Sequence, residues 1–232
     1  WAVGLAGSPI ILHMHFDPAL TQLPGRSSSS HFLLCQLIRP ANVLFTLTEA
    51  YRERFCACSV SQPVYVVPNM CDETSLAFPA ERQRELGMVR IAVLGRLSRE
   101  KGILDVLQVA AQLRREHPHI HFDVAGLPST EQEERLVQET MQREHLRDTV
   151  TLLGLVTGQA KVDLFERADI LLSASYRESF GIVATEAMAA ALPVIGTRVA
   201  GLRSIVVENE TGYLVEPGDV STMKQCLIAL AQ

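Results

Sequence analysis

From residue 89 onward, short apolar runs alternate with longer amphipathic ones, and this alternation is the tightest constraint on the fold. "VRIAVLG" (89–95), "IHFDVAG" (120–126), "TVTLLG" (149–154), "DILLSAS" (169–175) and "PVIGT" (193–197) are too short for packed helices. Their near-continuous apolar character is that of strands buried on both faces. The intervening segments 101–117, 129–146, 158–168 and 181–192 read as helices. In the first of them, Ile103, Leu104, Leu107, Ala110, Ala111 and Leu113 fall on one face at helical spacing. The acidic first turn of 129–146 suits the helix dipole. Pro193 is expected to stop the helix over 181–192, and a last helix to begin near Asp219. Strictly alternating strands and helices predict an α/β fold with a parallel sheet covered on both faces, joined by right-handed crossovers into a Rossmann-like domain. Ligands of such domains sit at the carboxyl ends of the strands. That rule puts Gly95–Arg96, Gly126, Gly154 and Ser175–Gly181 on one rim.

The first 75 residues differ. "PIILHMHF", "NVLFTLT" and "PVYVVPN" read as strands, and "HFLLCQLIRPA" and "EAYRERFC" as helices. This is the pattern of the second half of another α/β domain, with its first half absent. Residues 76–88, charged and lacking a long apolar run, read as a linker to the domain at 89–232. The net charge of −5 gives no whole-chain attraction to nucleic acid, so a phosphate site must be a local basic patch. Five cysteines, odd in number and without a CxxC pair, predict free thiols in a reducing, cytoplasmic compartment rather than a disulfide framework or zinc site. No run reaches the roughly 18 uncharged apolar residues of a membrane span. The opening "WAVGLAGSPIILHMHF" lacks the basic start of a signal peptide and reads as a loop entering a strand.

Two stretches carry chemistry. In "GRLSREKG" (95–102), Arg96 and Lys101 flank a turn between a strand and the start of a helix. A helix N-terminus with two cations beside it suits a diphosphate; a solvated loop of mixed charge is the plainer alternative. In "ESFGIVATEAMAAALPVI" (178–195), Glu178 lies in a turn and Glu186 in the second turn of the next helix. Ser179 is a candidate N-cap, and Gly181 lets a ligand approach the backbone. Carboxylates accept bonds from vicinal hydroxyls of a sugar or ribose. The plainer alternative leaves Glu178 facing the helix dipole and Glu186 exposed to solvent. No G-x-G-x-x-G follows a strand, which disfavours a dinucleotide-dependent oxidoreductase.

Taken together, "LGRLSREKGILDVLQVA", "ESFGIVATEAMAAALPVI", "AGLRSIVVENETGYLVEPGD" and "VYVVPNMCD" resemble the retaining, nucleotide-sugar-dependent glycosyltransferases of the GT-B fold, the group 1 or family 4 class. Glu178 and Glu186 match the family's E-x7-E motif. The resemblance implies transfer of a sugar from a UDP- or GDP-sugar to a carbohydrate or lipid-linked acceptor, as in polysaccharide biosynthesis. It implies no metal or other cofactor, and is compatible with peripheral attachment at the inner face of a membrane. Arg96 and Lys101 would neutralise the diphosphate, Glu178 would contact the transferred sugar, and Glu186 would hold the ribose. The N–H groups of Phe180 and Gly181, beside Ser179, would meet the phosphates or sugar. The loop after Gly154, beginning at Leu155, would line the base pocket. An acceptor-side histidine of such enzymes corresponds to His13 or His15. The chain departs from the family pattern at Met70, Ala200, Ser204 and Ala191, where a left-handed helix end is expected to strain an alanine. A non-catalytic remnant that binds nucleotide sugar is the alternative reading.

Overall fold

The computed structural model describes residues 9–15, 38–57, 60–71 and 87–231. The chain divides into two units, Trp1–Asn69 and Met70–Gln232. Most of the expected linker 76–88, and the expected helix over 31–41 up to residue 37, lie outside the described residues.

In the first unit, β1 (Ile11–Met14), β2 (Val43–Thr46) and β3 (Val64–Val66) pair in parallel in that order. Helix α1 (Glu49–Ala57) connects β2 to β3 and buries Tyr51 and Phe55. Phe55 joins Ile38, Ala41 and Leu44 in a small core. A local Glu49–Arg52 pair on the exposed side of α1 holds the Glu49 carboxyl below its ordinary range.

The second unit contains six parallel strands: β4 (Val89–Leu94), β5 (Ile120–Ala125), β6 (Val150–Gly154), β7 (Ile170–Ser173), β8 (Val194–Thr197) and β9 (Gly212–Val215). Their spatial order is β6-β5-β4-β7-β8-β9. The chain runs outward from β4 to one edge, returns, and runs outward from β7 to the other. The switch point therefore lies between β4 and β7, which pair at Ile91↔Ile170 and Ala92↔Leu171. Helices α2 (Ile103–Leu113), α3 (Glu131–Arg143) and α7 (Val220–Leu230) share one core with the sheet, through residues such as Leu107, Val137 and Met223. Helices α4 (Gln159–Arg167), α5 (Ile182–Ala189) and α6 (Ala200–Arg203) share the other, through Leu164, Ala187 and Leu202. The expected doubly covered parallel sheet is thus present. Strand β9 and helix α6 escape a periodicity reading, because "GYLV" and "AGLR" are too short to show one.

Two local expectations change. The last helix starts near Asp219 as expected, and Asp219 caps it, its Oδ1 accepting from the Thr222 N–H at 3.0 Å. Ser179, in contrast, does not cap α5: the N-cap is Gly181, with φ 96°, and Ser179 lies two residues upstream in a bend. Nor does Pro193 set the end of α5. The helix finishes earlier, in a Schellman closure with Ala191 N–H on the Met188 carbonyl and Leu192 N–H on that of Ala187, both at 2.9 Å. Ala191 adopts φ 55°, so the strain expected of an alanine there is present. A left-handed alanine costs about 1–2 kcal/mol, against which glycine gives up about 0.4–1 kcal/mol of chain entropy. Ala191→Gly is therefore expected to stabilise the protein by about 0.5–1 kcal/mol. Urea denaturation checks this, and an unchanged or lower midpoint would argue against strain at Ala191.

Candidate functional site

The switch point brings the two chemistry-bearing turns together. After β4 the chain makes a tight turn in which Ser98 is buried. Its carbonyl accepts from the Lys101 and Ile103 N–H groups, at 3.1 and 3.3 Å, and the Arg99 carbonyl from Gly102 N–H at 3.0 Å. Three of the amides expected to be open at the start of α2, those of Lys101, Gly102 and Ile103, are thus committed to the turn. What the turn offers an anion is its cations. Arg96 is exposed and has no partner among the described residues. Lys101 has one: its Nζ donates to Glu178 Oε2 at 2.6 Å, the two side chains being 23% and 21% exposed.

Close backbone packing permits that bond. Gly102 has φ 69°, and a Cβ on it would lie 2.0 Å from the Ala174 carbonyl oxygen. Only glycine lets the head of α2 sit against the end of β7. Tyr176 N–H adds a bond to the Glu100 carbonyl at 2.8 Å. The Asp105 carboxylate beside the Tyr176 phenol pushes its pKa up, with burial adding to the effect. On the far side of the β7–α5 turn, Gly201 of α6 donates to the Glu178 carbonyl at 3.0 Å. A Cβ at Gly201 would stand 2.6 Å from that oxygen and from Phe180 N. The Phe180 side chain is buried, while the N–H groups of Phe180 and Gly181 make no hydrogen bond with other described residues.

Glu186 is not the exposed helix residue of the plainer alternative. It is 5% exposed on α5, and its Oε1 accepts from Lys161 Nζ of α4 at 2.6 Å. Burying a carboxylate is unfavourable unless it is paired, and Lys161 supplies the pairing. Lys161 was not singled out in the sequence, since a lysine on a mixed-charge helix carries no pattern that points to a partner 25 residues on. Ser179 is half-buried in the bend between the two carboxylates. Gly154 ends β6 with φ 70°, and Leu155 beyond it is 68% exposed on the same rim. In the first unit, His13 and His15 stack with ring centroids 4.2 Å apart. His13 Nε2 lies 3.2 Å from the Val67 carbonyl, whereas His15 is exposed.

The arrangement offers three cations (Arg96, Lys101 and Lys161), two carboxylates and open backbone amides beyond the strand ends. A family model described as "Glycosyl transferases group 1" matches residues 79–231. The chain belongs to the group 1 glycosyltransferases. Among curated members, it is 32% identical to a glycogen synthase of Mycobacterium tuberculosis over 158 residues, 68% of this chain and 37% of that protein. It is 34% identical to a D-inositol 3-phosphate glycosyltransferase of Pseudarthrobacter chlorophenolicus, over 60% of this chain and 34% of that one. The chain thus spans little more than a third of the length of these two relatives. Among solved structures, Anabaena HepE in complex with UDP and glucose superposes with a TM-score of 0.82 at 19% identity, covering 100% of this chain and 64% of that one. The sucrose-phosphate synthase of Thermosynechococcus elongatus gives 0.75 at 23% identity, covering 95% and 58%. At these identities the likeness is one of fold, and the fold is that of GT-B glycosyltransferases.

Cys71 gives the Glu186 end of the site a chemical reporter. Burial pushes its thiol pKa up, and the Glu186 charge adds to this while Lys161 opposes it. A raised pKa means less thiolate at neutral pH. Iodoacetamide is therefore expected to label Cys71 several-fold more slowly than the exposed Cys56 at pH 7.5, with the gap closing as pH rises above the ordinary thiol range. Peptide mass spectrometry reads both sites. Equal labelling at pH 7.5 would show that the Cys71 pKa is not raised.

Proposed function

We propose that the chain is the donor-binding part, with some of the acceptor side, of an enzyme that moves a sugar from a UDP- or GDP-sugar to an acceptor hydroxyl with retention and without a metal. In this reading residues 89–232 bind the donor, 76–88 link the domains, and 1–75 belong to the acceptor side. The observation that carries it is the meeting of the β4 and β7 turns at the switch point, where Lys101 reaches Glu178 across 2.6 Å. Arg96 and Lys101 bind the diphosphate. As the bond from the sugar to the β-phosphate breaks, the electron pair leaves with the nucleoside diphosphate, and these fixed cations stabilise the growing negative charge. Guanidinium grips two phosphate oxygens, while the ammonium acts as a mobile point charge. Glu178 takes the hydroxyls of the transferred sugar, Glu186 those of the ribose, and the Phe180 and Gly181 amides face phosphate or sugar. Leu155 covers the base. On the acceptor side, His15 is favoured over His13, whose Nε2 is within bonding distance of the Val67 carbonyl. The family membership and the glycosyltransferase names of the relatives support this activity. No helix among the described residues is long and apolar enough to cross a membrane.

Lys101→Ala and Glu186→Ala are each expected to weaken nucleotide-sugar binding at least about tenfold, the loss of one charge-assisted bond at about 1.5–3 kcal/mol. Calorimetry with UDP, GDP and their glucose and mannose conjugates measures it. Unchanged affinity in both variants would overturn the site assignment.

A further inference from the structure

The Glu186–Lys161 pair is more than a neutralised charge. Lys161 Nζ engages Glu186 Oε1, with the side chains 22% and 7% exposed. The second oxygen, Oε2, has no hydrogen-bond partner among the described residues, yet it is not among the polar atoms sealed from solvent. An ammonium group carries three N–H donors, and Lys161 spends one of them on Glu186. The pair therefore presents, side by side, an open carboxylate oxygen that accepts and ammonium N–H groups that donate. A hydroxyl is the group that answers both, because it gives its proton to the carboxylate and takes a proton donor on its oxygen. A methylene answers neither and leaves both charged groups unsatisfied in a half-dry crevice.

We infer that Lys161 fixes Glu186 in place and itself donates to the ribose, so that the pair selects ribonucleoside over 2′-deoxyribonucleoside diphosphates. This rests on the proposed donor site, in which Glu186 faces the ribose. A lysine that merely clamped α4 onto α5 would act differently. Its removal would lower affinity for ribo and deoxy ligands alike, whereas loss of a paired hydroxyl reader changes their ratio. Selectivity is a difference of affinities, and a site built to bond a hydroxyl rejects the analogue that lacks it more strongly than a size-based pocket does.

The test is calorimetric titration of the full chain with UDP and GDP and with their 2′-deoxy counterparts. The wild type is expected to prefer the ribonucleotide at least about tenfold. Lys161→Met should bring that preference below about threefold, and Lys161→Arg, which keeps a charged donor, should largely restore it. A wild-type ratio retained in Lys161→Met overturns the inference and leaves the donor site standing, as does a wild type that binds both sugars equally. A wild type that binds neither UDP nor GDP overturns the donor site and the inference together. Should Lys161→Met fail to fold, the charge-free pair Lys161→Met/Glu186→Gln is compared with Glu186→Gln alone. A preference for UDP over 2′-deoxy-UDP that falls at least about threefold further on removing Lys161 supports direct donation, and an unchanged preference overturns it.

Discussion

The pairing of β4 with β7 is the contact on which the site depends. It joins the strand that begins one half of the sheet to the strand that begins the other, through Ile91↔Ile170 and Ala92↔Leu171. Helices leave those two strands toward opposite faces: α2 packs on one side of the sheet and α5 on the other. The turns that precede them therefore diverge, and a crevice opens where they part. The two turns at that crevice are held against one another by main-chain contacts. The Gly102 backbone against Ala174, the Tyr176 amide on Glu100 and the Gly201 amide on Glu178 fix the two turns relative to one another. With the main chain so fixed, Lys101 and Glu178 meet without either side chain needing burial of its own.

Charge balance at the site follows from the same geometry. Each carboxylate of the E-x7-E pair has its own lysine, Glu178 with Lys101 and Glu186 with Lys161, both at 2.6 Å. The two bonds differ in what surrounds them. Glu178 and Lys101 are similarly exposed, so under the proposed function a diphosphate arriving at Lys101 would compete with a carboxylate that solvent can re-hydrate. Glu186 is nearly buried, and stripping its lysine would leave an isolated charge away from water. The first pair is suited to exchanging partners during binding, the second to staying together.

The fold was legible because long amphipathic segments advertise their buried face. Leu107, Ala110 and Leu113 lie one to two turns apart and do face the sheet. The places of Arg96, Lys101 and Glu178 in turns after strands, and of Glu186 in the second turn of a helix, were also legible from the order of strands and helices. What sequence could not supply was pairing across elements. Lys161 comes to Glu186 only because α4 and α5 lie on the same face of the sheet. Nor could it show that the Ser98 and Arg99 carbonyls take the Lys101, Gly102 and Ile103 amides, because that depends on the turn's own conformation. The Ser179 cap failed for a similar reason: the chain crosses beneath Gly201 before it enters the helix, and the cap position passes to Gly181.

The left-handed Ala191 has a consequence at the level of the gene. Alanine and glycine codons differ at a single base, so relief of that strain is one nucleotide substitution away. The cost of about 1 kcal/mol is small against the roughly 5–15 kcal/mol by which a domain is stable. A defect of that size passes unselected so long as the protein stays above the threshold its function needs. The Schellman closure still forms around the alanine, with both of its bonds at 2.9 Å. The helix end is thus specified by its hydrogen bonds and tolerates the less suitable residue, one base change away from relief, without moving Glu186.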